Sequence, residues 1–167
     1  SLVYLNICFF ERIEKLDINS KLAEKGIVLP DGPPPAANYI PFVKVDKLIF
    51  ISGQVSQNEN GFIKGFLGKD LNVEQGYRAA RYCAISLLAQ LENAVNGDLN
   101  RMAKVVKLGG FVNSAPGFTE QPNVINGASD LFVDLFGDKG RHARTAVGAN
   151  LPLGVAVEID GIFEVEL

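Results

Sequence analysis

Apolar residues recur at three- and four-residue steps from Val73 through Tyr77, Ala80, Ala84, Leu87, Leu88 and Leu91 to Val95. This spacing gathers them on one side of a helix and predicts a long amphipathic element. Asn72 stands before it as an N-cap and Gly97 after it as a stop. Val124, Ala128, Leu131, Phe132 and Leu135 repeat the pattern for a second helix, which Gly137 ends. The end of the chain has a different period. Val155, Val157, Ile159, Phe163 and Val165 point one way, and Glu158, Asp160, Glu164 and Glu166 the other, as in a strand with one apolar and one acidic face. FVKV and LIFISGQ, separated by Asp46-Lys47, predict a β-hairpin. MAKVVKLGGFV and RTAVGA predict two further strands. Asn60-Gly61 marks a turn, FIKGFLGKDLN reads as a loop or short edge strand, and SAPGFTEQP as a loop.

The predicted order is β-β-α-β-α-β-β, an α+β layer in which one mixed sheet has two helices on one face. A single helical layer leaves the second sheet face to water or to a partner. Ala146 and Gly148 share a face with Arg144, and small residues there admit another chain, so a homo-oligomer is the natural solution.

Ahead of this pattern, residues 1–36 read as an N-terminal extension and residues 37–167 as the domain proper. ERIEKLDINSKLAEKGI predicts a short helix ending near Gly26, and VLPDGPPPAANY a proline-rich connection that is neither helix nor central strand. The opening SLVYLNICFF lacks a basic start and a small-residue cleavage site, so it is expected to be an extra strand or extension rather than a targeting segment.

Composition narrows the function classes. Hydrophobic residues make up 47% and charged residues 21% of the 167, ordinary for a globular chain long enough to bury a core. A net charge of −3 gives no electrostatic footprint for nucleic acid. No apolar run approaches the roughly 18 residues of a membrane-spanning helix. Two cysteines, Cys8 and Cys83, form no disulfide framework, so a reducing, cytoplasmic compartment is expected. A single histidine with two distant cysteines builds no usual zinc site, and no metal is expected. Cys83 lies beside the apolar stripe of its helix and reads as a buried thiol.

LIFISGQ, a long helix, VVKLGGFVN, RTAVG and LPLGVAVEID, in that order, resemble the YjgF/RidA family of reactive-intermediate deaminases, also labelled endoribonuclease L-PSP. The resemblance runs from about Tyr39 to Leu167. It implies a chorismate-mutase-like fold, a barrel-like homotrimer with ligand clefts between subunits, and hydrolysis of enamines and imines such as 2-aminoacrylate to 2-keto acids and ammonia. No cofactor is implied. Carried over residue by residue, the carboxylate-binding arginine falls on Arg144, the water-handling glutamate on Glu158, the aromatic that closes over the ligand on Tyr39, and an early helix asparagine on Asn126. Ser52, Gly53 and Ala146 complete the ligand-facing set. Ala146 departs from the cysteine, threonine or serine that the family often has there, and the turn between Arg144 and Leu151 is one residue shorter than usual.

These types suit the chemistry. The planar fork of arginine meets a carboxylate bidentately and keeps its charge. A glutamate orients water and takes its proton, more readily if burial raises its pKa. The residues alone leave alternatives open. Arg144 could be a solvated strand arginine or half of an inter-subunit ion pair. Alternation alone makes Glu158 one of an acidic solvated face. Tyr39 is lid or packing, and Asn126 a ligand contact or a local hydrogen-bonding group. His142 is expected on the opposite strand face from Arg144, in a structural role. Without turnover, the same cleft would serve as a binding or regulatory module for keto or amino acids. A ribonuclease reading lacks a basic stripe and a histidine pair.

Overall fold

The computed structural model describes residues 17–31 and 38–166. The expected strand at residues 1–10, the first part of the expected helix and the middle of the proline-rich connection lie outside them. Helix α1 spans Ile18–Glu24, and Gly26 follows with φ 65°, so the helix stops where the sequence predicts. Its Ile18 and Leu22 are buried in the same core as the rest of the chain. Lys21 Nζ donates to the Leu135 carbonyl (2.9 Å), and the Ile18 amide donates to Asn100 Oδ1 (3.1 Å).

Strands β1 (Phe42–Val45) and β2 (Leu48–Val55) form the predicted hairpin, closed by Val45 opposite Leu48, with Asp46 at φ 51°. A two-residue antiparallel ribbon, β3 (Gln57–Asn58) with β4 (Gly61–Phe62), turns at Glu59-Asn60, one residue ahead of the expected Asn60-Gly61. Next comes a compact loop anchored by the fully buried Leu67, whose amide donates to the Asn113 carbonyl (2.8 Å).

Helix α2 spans Val73–Ala94 and begins at a capping box. Asn72 Oδ1 accepts from the Gln75 amide, and Gln75 Oε1 accepts from the Asn72 amide, each at 2.9 Å. It ends on left-handed Asn96 and Gly97, the Gly97 amide closing on the Glu92 carbonyl (2.9 Å). Strand β5 (Met102–Val112), helix α3 (Gln121–Phe136), strand β6 (Ala143–Gly148) and strand β7 (Val157–Val165) complete the domain. The helices approach closely at Gly127 of α3, where an added Cβ would stand 1.9 Å from the Tyr77 carbonyl oxygen.

The five-stranded sheet runs β1-β2-β7-β5-β6, antiparallel except for the parallel β5–β6 pair. Ala80, Cys83, Ala84, Leu87, Leu88 and Leu91 of α2, with Val124, Ala128, Leu131, Phe132 and Leu135 of α3, bury against Ile49, Ile51, Val105, Val112, Val157, Ile159 and Phe163. This is the α+β arrangement expected from the sequence, one mixed sheet with both long helices on one face, and the short helix α1 joins the same core.

One expectation about the sheet faces is overturned. Gly110 pairs with Ala146, and a Cβ on Gly110 would strike Ile125 of α3, so Arg144, Ala146 and Gly148 lie on the helix-covered face. Ala146 is half-buried and packs against the core on the side of the sheet that α3 covers, not on the open face. The uncovered face carries Val43 (48% exposed), Val45 (51%), Phe50 (39%) and Val147 (42%), an apolar band rather than a small-residue one. Alternation tells which residues share a face, but not which face the helices choose.

Candidate functional site

The predicted site residues fall into two groups. The first is built on β6 and α3. Arg144 extends from β6 under α3, where Nη1 donates to Asn126 Oδ1 (2.8 Å) and Ser129 Oγ (3.1 Å). Nη2 donates to the Pro122 carbonyl (3.4 Å). Asn126 and Ser129 are one helical turn apart, so both present oxygens to the same guanidinium. All three acceptors are neutral, and among the described residues no carboxylate stands within ion-pair distance of Arg144. A guanidinium has five N–H donors; those three bonds leave Nε–H and one Nη2–H for a ligand.

Ser129 also meets His142, with Oγ 2.9 Å from Nε2, while His142 Nδ1 lies 2.7 Å from the Gly140 carbonyl. A carbonyl only accepts, so Nδ1 carries the proton and Nε2 of the neutral ring accepts the Ser129 hydroxyl. Burial pushes His142 below its ordinary value of 6.5; the bond to Gly140 opposes this, and Arg144 and Lys104 add to it. His142 therefore faces Arg144's side of the sheet, against expectation. His142 stands just ahead of β6, two residues from Arg144, and both reach Ser129 of α3, so they share one side. Ser129 was missed altogether. Its signal is its place three residues beyond Asn126 on the same helix.

The second group is built on β2 and β7. Pairing slips between Ile51 and Gln54, so Ser52-Gly53 form a bulge. The bulge carries Gly53 against Glu158, where an added Cβ would lie 2.2 Å from Glu158 Oε1. Any side chain at 53 would take the space that the carboxylate uses. Burial raises the Glu158 carboxyl above 4.5, and the charge of Asp160 adds to the rise. Asp160 folds over Gly109, whose amide donates to Oδ1 (3.1 Å). Ser52 ties down the segment entering β1: its amide donates to the Pro41 carbonyl (2.9 Å), and Oγ donates to the Ile40 carbonyl (2.8 Å). That leaves the adjoining Tyr39, 55% exposed, near the same bulge.

The two groups do not meet within one chain. β5 separates β6 from β7, so Arg144 and Glu158 are not on adjacent strands, as a tight Leu-Pro-Leu-Gly connection suggested. Arg144 pairs with Leu108 and Glu158 with Phe111, which puts their backbones about 10 Å apart across the sheet and about 10 Å along it. Their side chains also leave opposite faces. Cys83 is fully buried, its thiol raised by burial and by Glu158, and has no exposed chemistry. Among the described residues no three His, Cys, Asp or Glu side chains gather as a metal site, and no helix is long and apolar enough to cross a membrane.

Comparison with known proteins agrees with this architecture. Protein TCP17 of Trypanosoma cruzi is 47% identical over 150 residues, covering 88% of this chain and 93% of that protein. The crystal structure of protein Atu1372 from Agrobacterium tumefaciens is 44% identical, with a TM-score of 0.82 over 89% of this chain and 94% of that one. RidA from an Antarctic Psychrobacter is 27% identical, with a TM-score of 0.52 over 81% and 96%. The family profile matches residues 19–157, and the chain belongs to the YjgF/chorismate mutase-like endoribonuclease family.

Proposed function

We propose that the protein hydrolyses reactive 2-imino acids and their enamine tautomers, of the 2-aminoacrylate kind, to 2-keto acids and ammonia. The observation that carries this reading is Arg144: a guanidinium braced on neutral oxygens, with two donors left and no carboxylate partner among the described residues. Such a group is poised for the carboxylate of a small acid. Water adds to the imine carbon as Glu158 takes one of its protons, giving a carbinolamine. Starting from the protonated imine, Glu158 returns that proton to the carbinolamine nitrogen, and as the C–N bond breaks it takes the hydroxyl proton, so the ketone forms and the departing ammonia leaves as ammonium. An imine carbon is already electrophilic, so placing the water and moving the proton are what is asked of the protein. The lack of a hydroxyl or thiol at Ala146 is compatible with this, because no covalent intermediate is required.

Since Arg144 and Glu158 diverge within a chain, the cleft of this proposal is shared: Arg144, Asn126 and Ala146 from one subunit, Glu158, Ser52, Gly53 and Tyr39 from its neighbour, in a homotrimer. The exposed apolar band of Val43, Val45, Phe50 and Val147 supports association through the open sheet face. A reducing cytoplasmic setting fits the free, buried Cys83. A second reading, carboxylate binding without turnover, is favoured by Ala146 alone.

The test is a coupled assay in which a second enzyme generates 2-aminoacrylate and imine decay is followed with and without the protein. Acceleration that Arg144→Ala abolishes is expected. No acceleration over a panel of imino acids ends the deaminase reading, and a monomer in solution ends the shared cleft.

A further inference from the structure

Several groups lie outside the proposed reaction. The wide groove between residues 25–31 and α2 mixes Lys25, Arg78 and Arg81 with Asp31 and Glu59 and points to no ligand chemistry. Cys83 is sealed in the core. The chain of contacts from Arg144 through Ser129 to His142 and Gly140 has a direction, and that direction matters for binding.

We infer that Ser129 and His142 are positioning residues for Arg144: neutral His142 accepts the Ser129 hydroxyl on Nε2, which turns the Ser129 oxygen lone pairs to the guanidinium and aims its free donors at the substrate carboxylate. This rests on the reading of Arg144 as the carboxylate clamp. The hydrogen-bond polarity runs one way. Gly140 O accepts from Nδ1 (2.7 Å), Nε2 accepts from Ser129 (2.9 Å), and Ser129 accepts from Arg144 Nη1 (3.1 Å). A free serine hydroxyl rotates and could as well turn its proton toward the cation; the imidazole acceptor removes that choice. Asn126 Oδ1, at 2.8 Å, holds the other Nη1 hydrogen, so both are occupied. The guanidinium plane is then fixed, and Nε–H and one Nη2–H remain for the ligand.

The surroundings keep the ring in its accepting form. Arg144 from β6 and Lys104 from β5 are the cations that oppose a charge on it. Phe132 of α3 packs edge-on at 6.4 Å. Asp138, in the turn before the strand, is turned outward and pairs with Arg141 (3.4 Å).

The experiment uses the full chain with pyruvate as the probe. His142 is the only histidine in the sequence, so its ring nitrogens give one unambiguous pair of 15N signals. At neutral pH they are expected to report a proton on Nδ1 and none on Nε2, and to shift when pyruvate is added to wild type but not to Arg144→Ala. Ser129→Ala and His142→Ala should weaken pyruvate binding about tenfold, and His142→Gln, which keeps a neutral acceptor there, should stay within about twofold of wild type. In the imine assay the same variants should raise KM in step and leave kcat unchanged, because the carboxylate contact is common to substrate and transition state. Pyruvate binding by Ser129→Ala equal to wild type, a proton on Nε2, a His142→Gln variant as weak as His142→Ala, or no pyruvate affinity in wild type each overturns the inference. Absent imine hydrolysis beside the expected pyruvate pattern would sink the deaminase reading alone.

Discussion

Arg144 and Glu158 leave opposite faces of one sheet, with β5 between their strands. In the proposed reaction, where Arg144 is the carboxylate clamp and Glu158 the water-handling base, groups so arranged cannot serve one small substrate from a single chain. The division gives a direct complementation test. Arg144→Ala and Glu158→Gln subunits, each inactive alone, should regain activity when unfolded together and reassembled. With random mixing, about a quarter of the sites would pair an intact Arg144 with a neighbour's intact Glu158. The check is imine turnover in the mixed sample. Activity no higher than in either parent would place both groups in one chain's site and contradict the geometry.

Gly53 is the second point at which the geometry commits itself. Its missing side chain is the space that Glu158 Oε1 occupies, 2.2 Å from where a Cβ would stand. The carboxylate is the movable end of a side chain, so Gly53→Ala should fold normally and displace only Glu158. We expect a melting temperature close to wild type and a fall in kcat of at least about tenfold, as for a misplaced catalytic group. Wild-type turnover in that variant would separate Glu158 from the chemistry.

Much of the fold is legible in the sequence. The Asn72 cap, the stop at Gly97, the two-residue hairpin and the alternation of β7 are local patterns, and all appear as read. The candidate site residues come from the resemblance and not from any local pattern. What local pattern cannot carry is the order of strands: nothing in RTAVG or LPLGVAVEID says that β5 inserts between β6 and β7. Nor does it say which face the helices cover, so Ala146 was placed on an open surface that Val43, Phe50 and Val147 occupy instead. The bracing of Arg144 by Ser129 and His142 joins three elements, and such a network is visible only once α3 lies over β6.

The raised Glu158 pKa makes two pH predictions. In the proposed reaction Glu158 is a base and works ionised, so imine hydrolysis should decline on acidification with a midpoint above the ordinary 4.5. Burial is the larger cause and Asp160 the next, so Asp160→Asn should move that midpoint downward. For stability, a carboxyl whose pKa is raised on folding contributes most below its unfolded pKa, and that contribution is lost as pH rises through the folded pKa. Glu158→Gln should therefore unfold at higher urea than wild type at neutral pH, and the difference should vanish below pH 4.5. An identical difference at both pH values would remove the linkage.

Gly127 is where α3 meets the α2 backbone, with room for hydrogen only beside the Tyr77 carbonyl. Gly127→Ala has no flexible neighbour to displace, so the helices themselves must separate. A loss of about 1–3 kcal/mol in urea unfolding is expected, of the size of other overpacked contacts. Asn126 and Ser129 flank this position on α3, so KM should rise as well. A variant as stable as wild type would mean that the helices are not held at this distance.

His142 predicts the opposite pH response from Glu158. Its pKa is lowered on folding, by burial first, so the unfolded chain takes up the proton sooner than the folded one. The stability that the neutral ring contributes is complete above its unfolded value of 6.5 and is lost as pH falls from there through the folded pKa. His142→Gln keeps an acceptor for Ser129 but cannot titrate, so its stability should change less than wild type's between about pH 7 and pH 5. Urea unfolding across that window, with wild type and variant side by side, measures the difference. Because the chain has one histidine, no other imidazole contributes to it. Parallel curves would show that His142 exchanges its proton equally in both states, and that the ring is not held neutral against Arg144 and Lys104.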